Sequence, residues 1–169
     1  MPTRDFSAVY DEHVWTVYGF FAYRLRTRAD AEDLTQQTFE RALRAWGRYD
    51  AARAGVATWL LVIARNLLVD HLRAGGRRRE RPLDALAADT VAAPSGEREL
   101  GPGPEIERAL LTLGDREREL IALRYGGDLS CAEIAALTGL SVSNVQQLLS
   151  RSLRRMRKAL DGARTRTTA

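Results

Sequence analysis

The residues best arranged for chemistry in this 169-residue chain lie near its C-terminal end. Ser143, Asn144, Gln147 and Arg151 recur on one side of a helical pattern, and Arg154, Arg155, Arg157 and Lys158 follow them. Hydroxyls, amides and a guanidinium at that spacing can read base edges in a major groove, while the basic residues further along meet phosphates. Just upstream, Ser130-Cys131-Ala132-Glu133 has the form of a capping box, in which the hydroxyl caps the helix and the carboxylate reaches back. A turn at Thr138-Gly139-Leu140 and a second N-cap at Ser141 come next, with small Ala135 where the two helices cross. This spacing predicts a helix-turn-helix. At about 100° per residue, Val145, Leu149, Leu153, Met156 and Leu160 form the opposite, apolar face, with Ser152 beside them.

The remaining chemistry-bearing side chains form no catalytic set. A single cysteine, Cys131, excludes an intrachain disulfide and a Cys-rich zinc site. His13 and His71 are far apart and have no Cys partner, so neither a metal nor a cofactor is expected. No Ser-His-Asp set or Gly-rich phosphate loop appears, which argues against an enzyme. Hydrophobic residues make up 45% and charged residues 28%, a globular composition. Net charge is +4, and 25 of the 26 basic residues are arginine, a modest excess compatible with nucleic-acid binding. The polar start Met-Pro-Thr-Arg-Asp lacks a signal peptide's apolar stretch. The apolar run from Ala54 to Ala64 falls short of the roughly 20 residues of a membrane span. A cytoplasmic protein without membrane insertion is expected.

The elements that must position these groups fall into two helical blocks. Helices are predicted from Phe6 to Arg26, from Asp30 (as N-cap) to Trp46, and from Val56 to Arg73, closed by Gly75-Gly76. In the second, Leu34, Thr38, Leu43 and Trp46 are the apolar positions. Residues 76–104 hold eight Gly and Pro residues among small and charged ones and read as a flexible linker. Beyond it, helices are predicted from Glu105 to Leu113 and from Arg116 to Tyr125, with Asp115 as N-cap, ahead of the helix-turn-helix. No segment sustains a strand's period of two. The expectation is an all-α fold of two small helical domains, 1–75 and 105–162, with a disordered tail at 163–169.

Three stretches together carry a family resemblance. The segment Asp30-Ala31-Glu32-Asp33-Leu34-Thr35-Gln36-Gln37-Thr38-Phe39 resembles region 2.2 of extracytoplasmic-function (ECF) sigma factors of bacterial RNA polymerase. Thr58 to Arg73, through Trp59, Ala64-Arg65-Asn66 and Asp70-His71, resembles their regions 2.3 and 2.4, and Leu113 to Leu160 resembles region 4. The resemblance implies that Asp33, Gln36, Gln37 and Glu40 dock on the clamp of the polymerase's largest subunit, with region 4 against the β-subunit flap. It implies that the loop Gly47–Gly55 and Asn66 capture a flipped base of the −10 element, with Arg65, Arg73 and Arg77 to Arg79 on phosphates. Ser143, Asn144, Gln147, Arg151, Arg154 and Lys158 would then bind the −35 element. Trp59 is open between core packing and a part in melting.

One departure stands out. Family members commonly carry basic residues near 146, 148 and 153, where this chain has Gln146, Leu148 and Leu153. That bears on which −35 sequence is read, and it leaves an apolar surface for a regulator such as an anti-sigma factor. The rival reading is a stand-alone helix-turn-helix regulator, which needs a sensor domain that the first block does not resemble.

Overall fold

The structure, a computed structural model, describes residues 5–79 and 101–167, with side chains described to residue 75 and from 101 to 162. Most of the expected linker and the last two residues lie outside them. Among the described residues every regular element is a helix, in two blocks of the expected order.

In the first block α1 (Phe6–Ala22) starts at Asp5, whose carboxylate accepts from the Ser7 N–H. α2 (Arg28–Ala45) is capped three residues before the expected position. Thr27 is the N-cap, its hydroxyl accepting the Asp30 N–H at 3.1 Å and donating to the Asp30 carboxylate at 2.7 Å. Asp30 therefore supports the cap from inside the first turn. α2 buries Ala31, Leu34, Thr35, Thr38, Phe39 and Ala42. Both threonines return their hydroxyls to the carbonyl four residues back, which satisfies them in an apolar layer. Leu43, expected in that layer, is 57% exposed, because Ala42 falls on the core side of the stripe.

A 3₁₀ turn, Trp46–Arg48, leads to α3 (Val56–Arg79). This helix runs through Gly75-Gly76 rather than stopping there, and Gly75 is not in the left-handed conformation that ends a helix. Residues 76–79 therefore belong to α3 and not to a linker.

The second block opens with α4 (Pro104–Leu110), which has proline in its first turn, and α5 (Asp115–Ile121). Gly114, not Asp115, is the N-cap of α5, and its N–H donates to the Glu117 carboxylate at 2.9 Å. Asp115 instead places its charge in the first turn, toward the positive helix end. The expected helix to Tyr125 is split, since Ala122–Gly126 forms a π turn closed by the Gly127 N–H to the Ala122 carbonyl at 2.8 Å.

Both helices of the helix-turn-helix are capped as their sequence requires. Before α6 (Cys131–Thr138) the Ser130 hydroxyl accepts the Glu133 N–H, and the Glu133 carboxylate accepts the Ser130 N–H and hydroxyl. Gly139, at φ 73, closes α6. The Ser141 hydroxyl then accepts the Asn144 N–H to start α7 (Val142–Thr167). Residues 163–167 thus continue α7 and are not a disordered tail. The buried stripe of α7 is Val145, Leu149, Ser152 and Met156, whereas Leu153 is 39% exposed. The Ser152 hydroxyl donates to the Leu148 carbonyl at 2.8 Å, so the core accepts it without an unpaired polar group.

The two blocks share one core. α1 packs against α2 and α3 on one side and against the π turn on the other. It accordingly buries Val9, Val17, Tyr18, Phe20 and Phe21 on more than one face. At the crossing the backbones nearly touch. A Cβ on Gly19 would lie 2.4 Å from the Gly126 carbonyl oxygen, and one on Gly126 would lie equally close to that of Gly19.

Two stability consequences are testable. Leu149→Ala leaves a cavity and should cost about 2–5 kcal/mol, whereas Leu153→Ala should stay within about 0.5 kcal/mol. Equal losses in denaturant titrations would contradict the observed stripe. Ser130→Ala should cost about 1 kcal/mol, a fall in Tm of about 2–4 °C. The Ser130 backbone N–H, then its hydroxyl, hold the Glu133 carboxyl below its ordinary range. A lowered folded-state pKa stabilises above the unfolded pKa and is lost as pH falls through the folded one. The stability gap between wild type and Glu133→Gln should therefore be full at neutral pH and close in acid, as thermal melts across that range would read.

Candidate nucleic-acid interface

On α2, Asp33, Gln36 and Glu40 are exposed and Gln37 is half-buried. Gln36 Nε2 donates to Glu40 Oε1 at 2.9 Å, and Gln37 Nε2 donates to Asp33 Oδ2 at 2.7 Å. The two amides each direct an N–H along the helix, so the stripe presents mainly carboxylate and carbonyl oxygens outward. An acceptor surface of that kind suits a partner bearing guanidinium groups. Exposed Leu43 lies beyond it on the same side, an apolar contact that the sequence pattern had assigned to the core.

The surface around α3 is built on aromatic packing. Trp46 and Tyr49 stack at 5.0 Å with rings 4° from parallel, and Trp59 closes the group at 5.8 and 5.0 Å from them. The Tyr49 hydroxyl donates to the Ala54 carbonyl at 2.9 Å, and the Asp50 carboxylate accepts the Ala52 N–H at 3.0 Å. These bonds brace the 47–55 loop internally, and the Tyr49–Trp59 ring contact joins it to α3. Asn66 and Arg73 are exposed, and with half-buried Trp59 they follow one helix face at intervals of two turns.

Arg65 does not join them. One residue from Asn66, it points about 100° away around the helix. Its Nε donates to Glu119 Oε1 of α5 at 2.6 Å. α3 carries Arg77 and Arg78 in its last turn, but their side chains lie outside the described residues.

On α7, Ser143, Asn144, Gln147, Arg151, Arg154 and Lys158 are all exposed. Ser143, Gln147, Arg151 and Arg154, with Gln146 and Ser150, line one open concavity of about 390 Å³. Leu148 is half-buried. Arg155, grouped with the phosphate candidates by sequence, is committed elsewhere. Its Nη1 donates to Glu117 Oε2 at 2.7 Å and its Nη2 to the Thr112 carbonyl, which stitches α7 to the start of α5.

Sequence reasoning also missed Glu119 and Arg24, the charged groups between the blocks. Arg24 is 7% exposed, and its Nη1 donates to the Asp115 carbonyl at 3.2 Å. Burial pulls its guanidinium below the usual range, a shift partly offset by the Asp115 carboxylate. Among the described residues no helix is long and apolar enough to cross a membrane, and no group of three His, Cys, Asp or Glu could hold a metal ion.

Comparison with known proteins agrees with this division. Family models match at two places, Sigma-70 region 2 over residues 9–78 and Sigma-70, region 4 over residues 104–156. The ECF RNA polymerase sigma factor BldN of Streptomyces coelicolor is 34% identical over 164 residues, covering 94% of this chain, and the chain spans 62% of BldN. The ECF RNA polymerase sigma factor SigK of Mycobacterium ulcerans is 32% identical over 169 residues, covering 95% of this chain and 88% of SigK. Two solved structures share the fold at 23% identity. The sigma factor RpoE, in complex with the anti-sigma factor NepR from Bartonella quintana, matches with a TM-score of 0.72 over 93% of this chain and 97% of its own. CnrH, in complex with the cytosolic domain of CnrY, matches with 0.62 over 93% and 88%. A region 2 block, a region 4 helix-turn-helix and likeness to SigK over most of both chains converge on one assignment: the chain belongs to the ECF sigma factors of RNA polymerase.

Proposed function

We propose that this chain binds core RNA polymerase in the cytoplasm and directs it to promoters, region 2 engaging the −10 element and region 4 the −35 element. The observation that carries this reading is the pairing of a Sigma-70 region 2 block with a region 4 helix-turn-helix in one chain. A stand-alone helix-turn-helix regulator has no use for the region 2 block and is disfavoured by it.

In this reading the chain is not an enzyme. It contributes binding energy, and the catalysis belongs to the polymerase. The acceptor stripe Asp33, Gln36, Gln37 and Glu40 docks on the clamp of the largest subunit, and region 4 lies against the β-subunit flap. Melting follows from capture. Unstacking a base costs a few kcal/mol, which a pocket for the flipped base offsets. Asn66 offers a donor and an acceptor to that base, and Arg73, Arg77 and Arg78 hold the strand by its phosphates. On the −35 side Ser143, Asn144, Gln147 and Arg151 meet base edges, and Arg154 and Lys158 meet phosphates. Two solved structures that share this fold, RpoE with the anti-sigma factor NepR and CnrH with the cytosolic domain of CnrY, each hold a bound protein. An anti-sigma factor is the corresponding partner for this one, with exposed Leu153 and half-buried Leu148 as apolar contacts.

In vitro transcription with core polymerase over a promoter library tests the assignment directly. Asp33→Arg combined with Gln36→Ala should abolish holoenzyme assembly and transcription while leaving helicity by circular dichroism unchanged. Assembly with undiminished affinity would remove the stripe from the polymerase contact. On the −35 duplex, holoenzyme carrying Gln147→Ala should lose about 1–3 kcal/mol at one base pair. Lys158→Ala should instead weaken all sequences evenly and lower the salt slope by about one. A uniform loss for Gln147→Ala would make that residue an anchor and not a reader.

A further inference from the structure

The outward face of α7 carries two adjacent glutamines, Gln146 and Gln147, and both line the concavity of about 390 Å³. Every residue lining it comes from α7, so the hollow arises from unequal side-chain lengths along one helix. Ser143 and Ser150, two turns apart, fall within about 20° of each other around that helix. Gln146 and Gln147 stand about 50° to either side of the serine line. The short serines keep the floor low, and the glutamines with Arg151 and Arg154 form the walls. Among the described residues no side chain holds either amide. The amides of Gln36 and Gln37 on α2, by contrast, are each tied to a carboxylate one turn away.

A major groove about 12 Å wide admits a helix about 10–12 Å across, so the residues on the line of contact set how deep it sits. Serines on that line let the α7 backbone approach the base edges. Long side chains to either side then reach those edges equally, which makes Gln146 the counterpart of Gln147. Asn144 takes no part in the concavity and stands about 100° from Ser143. The chemistry of the amide narrows the choice of base. Glutamine offers a donor and an acceptor side by side, and adenine presents the matching N6 donor and N7 acceptor in the groove. Guanine presents two acceptors there, and a phosphate presents acceptors only, so either would leave the Gln146 carbonyl unpaired.

We infer that Gln146 is a specificity-determining residue that reads an adenine of the −35 element through both atoms of its amide. This chain therefore requires an A·T pair at a place where the basic side chain common in the family would select guanine or hold a phosphate. The inference deepens the function proposed above and rests on it for the duplex that α7 enters.

The test selects duplexes from a library randomised across the −35 element, once with holoenzyme and once with the free full chain at low salt. Gln146 is exposed in the free chain, so both forms present it and its substitution leaves the core intact. The parent should prefer A·T at one position that Gln146→Ala flattens, by about 5- to 150-fold, while the other positions keep their preferences. Gln146→Arg should move that same position to G·C, because a guanidinium pairs with the two acceptors of guanine. Replacing the selected adenine by 7-deazaadenine, which lacks the N7 acceptor, should weaken the parent about fivefold or more and leave Gln146→Ala unaffected. The salt slope of Gln146→Ala should equal that of the parent. Unchanged selection by Gln146→Ala, or a loss spread over all sequences with a lower salt slope, overturns the inference. So does the lack of any preferred position in both forms of the parent. If no holoenzyme assembles, the proposed function falls, and selection by the free chain still decides what Gln146 reads.

Discussion

The arrangement of the molecule depends on the absence of two side chains. At Gly19 and Gly126 the backbones of α1 and the π turn approach so closely that a methyl group on either would meet a carbonyl oxygen at 2.4 Å. That approach lets α1 serve as the central helix of both blocks. It also explains why α1 is apolar on several faces, since one side meets α2 and α3 and the other meets the second block. The π turn supplies the geometry, because its wider backbone ring carries Gly126 and Gly127 forward onto α1 and Leu61.

Around this contact the charged residues divide into two populations with different work. Arg24, Arg65, Glu117, Glu119, Glu133 and Arg155 face other elements and are at least partly sheltered from water. Their hydrogen bonds are charge-assisted, and breaking one leaves a partner poorly solvated. Asp33, Glu40, Arg73, Arg151, Arg154 and Lys158 stand in solvent. Surface pairs there contribute little to stability, so these residues are free for the contacts proposed above. Identity of side chain does not separate the groups. Arg154 and Arg155 are neighbours, yet one faces outward and the other is bound to Glu117.

A similar economy governs the polar residues in the core. Thr35, Thr38 and Ser152 are buried, and each gives its hydroxyl to a carbonyl one turn back on its own helix. This local satisfaction lets small polar residues fill crossings where a larger apolar one would not fit. It is why Ser152 lies inward on α7 while Leu153 faces out.

What was legible in the sequence was what depends on neighbours three or four residues apart. The Ser130–Glu133 capping box, the Gly139 turn, the Ser141 cap and the exposed stripe from Asp33 to Glu40 are set by helical periodicity and short-range hydrogen bonds, and they stand in the structure as the spacing requires. The resemblance to sigma regions 2 and 4 rests on the same local patterns. Tertiary structure alone decided the rest. Arg65 meets Glu119 across 54 residues of chain and Arg155 meets Glu117 across 38, so no local pattern could separate them from arginines left in solvent. Whether Gly75-Gly76 ends a helix, or whether Leu43 or Ala42 turns inward, likewise depends on the backbone and on what packs alongside. The docking of one block on the other depends on Gly19 and Gly126 meeting, and in sequence a glycine needed for close approach looks the same as one that simply occupies a turn.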